Sequence, residues 1–71
     1  MEDALLDRFG TAIRRLRSER GWTQEGLANA ADLHRNYVGD LERGKRNPTL
    51  HVVAQLADAF ELSLSELLED V

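Results

Sequence analysis

Arg35 and Asn36 stand side by side in this sequence, Asp40 follows one helical turn later, and Arg43, Lys45, Arg46 and Asn47 come close behind. Side chains of these types read and grip nucleic acid. An arginine fork bonds both acceptors on a guanine edge, a carboxamide matches adenine, and a carboxylate accepts from a cytosine amino group. Lysine and arginine also neutralise phosphates whatever the base sequence. Thr23 and Gln24 stand where a helical stretch begins, and there free backbone N–H groups and a side-chain amide can hold a phosphate. The plainer reading of the cations is a solvated charged face. Enzyme chemistry has less to stand on. His34 and His51 are the only histidines, they lack the spacing of metal ligands, and no cysteine can join them. Ser63 and Ser65 belong to a helix start rather than to a nucleophile with its base, and no phosphate loop of the GxxxxGK type occurs. The expectation is a protein that is not an enzyme and needs no metal or cofactor.

Helices must position these residues. Strand signals are nearly absent, and apolar residues recur at three- and four-residue steps. The first helix is expected from about Ala4 to Arg20, with Leu5, Leu6, Phe9, Ala12, Ile13 and Leu16 as its stripe and Gly21 as its stop. The second opens at Thr23, an N-cap, with Trp22 and Leu27 placed to form a hydrophobic staple, and ends near Ala31. Asp32-Leu33 leaves room only for a tight turn. The third helix is expected from His34 to Arg43, with Tyr37, Val38 and Leu41 inward and Asn36, Gly39 and Arg43 on the opposite face. After the loop 44–48, Thr49 caps a fourth helix bearing Leu50, Val53, Leu56, Ala57 and Phe60, and Ser63-Leu64-Ser65-Glu66 reads as a capping box that starts a fifth. The fold class is all-α, a compact bundle of five short helices in one domain over residues 1–71.

Charge is distributed unevenly. The net charge is −4, yet all nine Lys and Arg residues lie between Arg8 and Arg46. Only five carboxylates share that segment, so its net charge is +4, between acidic ends. A basic centre of this kind points toward nucleic acid. No apolar run approaches the roughly 18 residues of a membrane span, so no membrane partner is expected. The acidic amino end, without an apolar core, makes the cytoplasm the expected location. A domain of this size buries only about 60% of its unfolded surface. A partner subunit is therefore expected to add to what helix packing supplies.

The segment from Thr23 to Val38, TQEGLANAADLHRNYV, and its continuation LERGKRNPTL from Leu41 to Leu50 resemble the Cro and lambda-repressor-like helix-turn-helix family. The resemblance covers nearly the whole chain. Within the family, Arg35-Asn36-Tyr37-Val38 and Glu42-Arg43-Gly44-Lys45-Arg46-Asn47 look most like the controller proteins of restriction–modification systems. Three positions depart from the pattern. Asp32 stands where the turn usually has glycine, His34 where serine usually caps the recognition helix, and Glu61 where glycine or asparagine usually precedes the last helix. Asp tolerates the left-handed region better than most residues, so the turn is expected to survive.

The resemblance implies a lambda-repressor-like DNA-binding domain with the helix-turn-helix at helices two and three. It implies a sequence-specific transcriptional regulator that acts as a homodimer on near-palindromic operators and controls its own gene and the endonuclease gene. Double-stranded DNA and a second copy of the chain are the implied partners, with RNA polymerase a further candidate. Arg35, Asn36, Asp40 and Arg46 become candidates for base reading, though Asn36 can equally serve to start the helix. Thr23, Gln24, Tyr37, Arg43, Lys45 and Asn47 become candidates for phosphate, though Thr23 also caps and Tyr37 also fits the core. Gly39 either clears a path to DNA or is neutral. Arg17 and Glu42 are implied to form a structural ion pair. Phe60, Leu62, Leu64, Leu67, Leu68 and Val71 offer more apolar surface than a short tail can hide; they are the candidates for the dimer interface, and the sequence leaves open which of them meet the partner and which fill the subunit core. The other readings are a phage-type repressor or antitoxin, or a helical protein-interaction module that does not read DNA.

Overall fold

The computed structural model describes residues 3–71. Met1 and Glu2 lie outside them, and with Glu2 goes part of the expected acidic end. Five helices follow in order: α1 Ala4–Glu19, α2 Gln24–Ala31, α3 Arg35–Glu42, α4 Leu50–Phe60 and α5 Leu64–Leu67. No strand occurs among the described residues. Each helix starts where a side chain can accept from its free N–H groups. Asp3 accepts from Leu5 and Leu6, Thr23 from Gly26, Thr49 from Val52, and Ser63 from Glu66, whose carboxylate returns the bond to complete the capping box. His34, the unusual cap, does the same with a ring nitrogen: Nδ1 accepts from the Asn36 N–H at 3.1 Å.

The core collects one stripe from each helix. Phe9, Ile13 and Leu16 meet Leu27, Ala28 and Ala31, with Val38, Leu41, Val53, Leu56, Phe60 and Leu67 closing around them. Trp22 stacks on Phe60 with ring centroids 5.7 Å apart, and the Arg20 guanidinium lies over the same ring at 4.8 Å. None of the described helices is long and apolar enough to cross a membrane.

The tail divides the candidates for the dimer interface and removes two of them. Phe60 and Leu67, read as dimer contacts, are each 1% exposed within the single chain. They are core: Phe60 ends α4 stacked on Trp22, and α5 is a single turn whose inward position falls on Leu67. Leu64 and Leu68 point outward at 41% and 40% exposure, with Leu62 and Val71 half-buried beside them.

α2 and α4 end in the same way. Asp32 (φ 58°) and Glu61 (φ 59°) both adopt the left-handed conformation, and the residue after each closes the helix end by donating to Ala28 (2.8 Å) and Ala57 (2.9 Å). The fold thus keeps a glycine-type corner without the glycine. The left-handed region costs an L-residue roughly 1–2 kcal/mol, and glycine's greater unfolded entropy returns part of that. Glu61→Gly is therefore expected to stabilise the fold by about 0.5–1 kcal/mol, raising the thermal midpoint by roughly 2–8 °C in a domain this small. Circular dichroism melting reads this directly, and a lowered midpoint contradicts it.

Candidate nucleic-acid interface

The turn at Asp32 sets α3 across α2 so that its amino-terminal end is presented outward. Arg35 and Asn36 are exposed there. Gln24 at the start of α2 joins Arg35, Asn36, Gly39, Asp40 and Arg43 around a polar cleft of about 360 Å³. The structure therefore brings Gln24, Arg35, Asn36, Asp40 and Arg43 together, while Thr23 and Tyr37 do not line the cleft. It does not bring Asn47 to them: that residue borders an apolar groove with Pro48, Leu5 and Val71 on another face.

Within the cleft the Asp40 carboxylate is already matched. Asp40 Oδ1 takes a bond from Arg43 Nη2 at 2.5 Å, and Oδ2 takes one from Arg46 Nε at 3.3 Å. The Arg46 guanidinium also lies over the Tyr37 ring, 5.2 Å from its centroid. Arg46's hydrogen bond, with that of Arg43 and both positive charges, holds the Asp40 carboxyl below the ordinary carboxylate range. Asp40, expected as an open acceptor for cytosine, thus faces two arginines, and two of the expected DNA-contacting cations are paired within the chain. Arg35 and Lys45 engage no carboxylate among the described residues.

A buried carboxylate anchors the unit from behind. The Glu42 side chain is 0% exposed and 2.6 Å from Arg17 Nε, with Arg14 Nε at 3.6 Å. Arg17 Nη2 gives a second bond at 3.1 Å, and Arg17 Nη1 donates to the Trp22 carbonyl at 2.8 Å. Gln24 Nε2 donates to the same carboxylate at 3.0 Å. One side chain therefore ties α1, the loop after it, α2 and the end of α3. Gln24, expected to grip phosphate, spends an amide N–H on this knot. Burial alone would raise the Glu42 carboxyl. The Arg17 and Gln24 bonds and the Arg17 and Arg14 charges outweigh it and hold the group below its ordinary value of 4.5. A lowered folded-state value means stability that is present above the unfolded value and lost as pH falls through the folded one. Glu66 is lowered too, by its bonds with Ser63, and adds to the same window. Unfolding free energy is thus expected to decline as pH falls below about 4.5 and to show a weaker decline in Glu42→Gln, as read by urea titrations across pH.

The cations of α1 require a second correction. Arg8 bonds the Val71 carbonyl, Arg15 pairs with Glu19 and Asp70, Arg20 bonds the Phe60 carbonyl, and Arg14 and Arg17 serve Glu42. Five of the nine cations in the basic segment therefore hold the fold together. Arg35, Arg43, Lys45 and Arg46 are the four that lie on or just after α3. Two contributors escaped sequence reasoning. Gln55 donates to the Ala31 carbonyl at 3.0 Å and so secures the carboxyl end of α2 at the turn; its signal was an amide inside an apolar stripe. Gly10 lets α1 approach the end of α3, where an added Cβ would meet the Leu41 and Glu42 carbonyl oxygens; a glycine in mid-helix was its signal.

A helix-turn-helix family profile matches residues 13–67, and the chain belongs to that family. Within it, the chain is similar to controller proteins. Control protein C.BamHI from Bacillus amyloliquefaciens is 39% identical over 86% of this chain and 76% of its own length. The crystal structure of the restriction-modification controller protein C.AhdI from Aeromonas hydrophila superposes with a TM-score of 0.88 at 43% identity, over 92% of this chain and 98% of that one. The HTH-type transcriptional regulator DdrOP3 from Deinococcus deserti is 41% identical over 83% of this chain, which spans 46% of that longer protein.

Proposed function

We propose that this chain is a sequence-specific DNA-binding transcriptional regulator, a restriction–modification controller that acts in the cytoplasm as a homodimer on a near-palindromic operator. The observation that carries the reading is the exposed Arg35-Asn36 pair at the outward end of α3, beside a cleft shared with α2. That arrangement presents a bidentate guanine reader and an adenine-matching amide together. Its similarity to control proteins supports the regulatory role. In this reading the 71 residues act as one domain whose carboxyl-terminal half meets the second copy through Leu64 and Leu68, with Leu62 and Val71 at the rim. A two-fold dimer sets its two α3 helices on one face of the duplex, so half-site centres lie about 34–36 Å apart. RNA polymerase is the further partner when such a dimer sits upstream of a promoter. Controller behaviour places sites upstream of the protein's own gene and of the endonuclease gene.

Arg35→Ala is expected to weaken operator binding by roughly 1–3 kcal/mol per half-site and to relax base choice at one position. Lys45→Ala is expected to weaken all duplexes alike and to reduce the salt slope by about one unit for each phosphate no longer neutralised. Fluorescence anisotropy on operator and random duplexes over a salt series separates the two. Equal losses on both DNAs for both variants contradict Arg35 as a base reader. Footprinting upstream of the gene tests the controller role. With a folded dimer verified, no protection of any DNA at low salt overturns DNA binding altogether.

A further inference from the structure

Asp40 sits in the middle of the surface assigned to DNA, where a carboxylate repels phosphate. Its surroundings give it a use. One oxygen faces Arg43 and the other Arg46, and the Arg46 guanidinium also lies over the Tyr37 ring. The helix is shaped to allow this. A Cβ on Gly39 would sit 3.3 Å from Arg43 Nη1 and 3.5 Å from Gln24 Oε1. The Arg43 guanidinium therefore lies folded back across Gly39. Gly39, with no side chain of its own, leaves room for that guanidinium to rest against the helix. The arginines are half-exposed, at 52% and 54%, so water and phosphate can reach them.

We infer that Asp40 is a specificity-determining residue: an internal counter-ion that holds Arg43 and Arg46 against α3 and gives them up only to DNA that offers the carboxylate a new partner. The inference rests on the DNA-binding reading and adds to it. Binding to random sequence comes almost wholly from cations meeting phosphates. Cations already paired to Asp40 must lose that partner before they contribute, which lowers non-specific affinity. On the operator, Arg35 reads bases without involving Asp40. Once released, the Asp40 carboxylate faces the base edges, where a cytosine amino group can donate to it. Random DNA supplies no such replacement at a fixed position. Asp40 thus penalises the wrong sequence more than the right one.

Asp40→Asn, tested with full-length protein, is the decisive substitution. Exposed pairs of this kind are weak, so affinity for random duplex is expected to rise only about three- to tenfold while operator affinity stays level or falls. The gain is expected to vanish when Arg43→Gln and Arg46→Gln are combined with it, and Asp40→Glu is expected to behave like the parent. Asp32→Asn removes the same charge from the exposed turn between α2 and α3 without touching Arg43 or Arg46, and it is expected to change random-duplex affinity far less. A gain that persists without the two arginines, or that Asp32→Asn reproduces, overturns the inference and reduces it to bulk charge. Unchanged random-duplex affinity in folded Asp40→Asn, with the parent still binding its operator, overturns it alone. A parent that binds no duplex at low salt overturns the DNA reading and this inference together.

Discussion

Glu42→Ala is expected to cost the fold about 3–5 kcal/mol, the penalty of breaking a buried, hydrogen-bonded ion pair on one side. The carboxylate is fully buried and takes bonds from Arg17 and Gln24. Removing it leaves the half-buried Arg17 guanidinium facing a void, with only the Trp22 carbonyl still to bond. Gln24 loses the acceptor of its amide, and the end of α3 loses its tie to α1. At roughly 0.05–0.15 kcal/mol per residue, a chain of this length has only a few to ten kcal/mol of stability in total. The variant is therefore expected to be largely unfolded at moderate urea, which chemical denaturation read by circular dichroism will show. Removing both partners tests the mechanism further. Arg17→Met with Glu42→Met is expected to lose much less than the two single losses added, because no unmatched charge remains. A midpoint for Glu42→Ala within experimental error of the parent's contradicts the anchor.

Gly10→Ala is expected to cost roughly 1–3 kcal/mol, the range for overpacking a well-filled interior. In an ordinary exposed helix the same change stabilises by up to about 1 kcal/mol. The sign reverses because the new methyl meets backbone. It would fall on the Leu41 carbonyl oxygen and 2.7 Å from that of Glu42, and neither atom can swing aside as a side-chain tip can. α1 and α3 must then move apart, which stretches the Arg17–Glu42 pair a short distance away. A lowered thermal midpoint, with reduced DNA affinity because α3 shifts, is the expected result. A midpoint equal to or above the parent's shows that α1 and α3 do not approach so closely.

The helix starts were legible to within about a residue because their causes are local. Thr23, Thr49 and Ser63 accept from N–H groups three residues ahead, and such i to i+3 bonds are written in neighbouring residues. The turn at Asp32 was legible for the same reason. The resemblance, rather than any spacing, named Arg17 and Glu42 as partners, since they stand 25 residues apart. Legibility stopped at the tail. Phe60 reads in the sequence both as the end of the α4 stripe and as tail surface, Leu67 reads as tail surface, and only the packing of the helices places both inside.

The sequence by itself determined the helices, their caps, the helix-turn-helix order and the exposed Arg35-Asn36 pair at the start of α3, because period, cap and turn chemistry act over three or four residues. Tertiary structure decided which charges are spent. Nine cations between Arg8 and Arg46 look like one basic field along the chain. Folding divides them: those of α1 turn to Glu42, Asp70 and two distant carbonyls, while Arg43 and Arg46 turn to Asp40. A charge attracts whatever opposite charge comes near in space, and for Arg8, Arg14, Arg15, Arg17 and Arg20 that neighbour comes from a distant part of the chain.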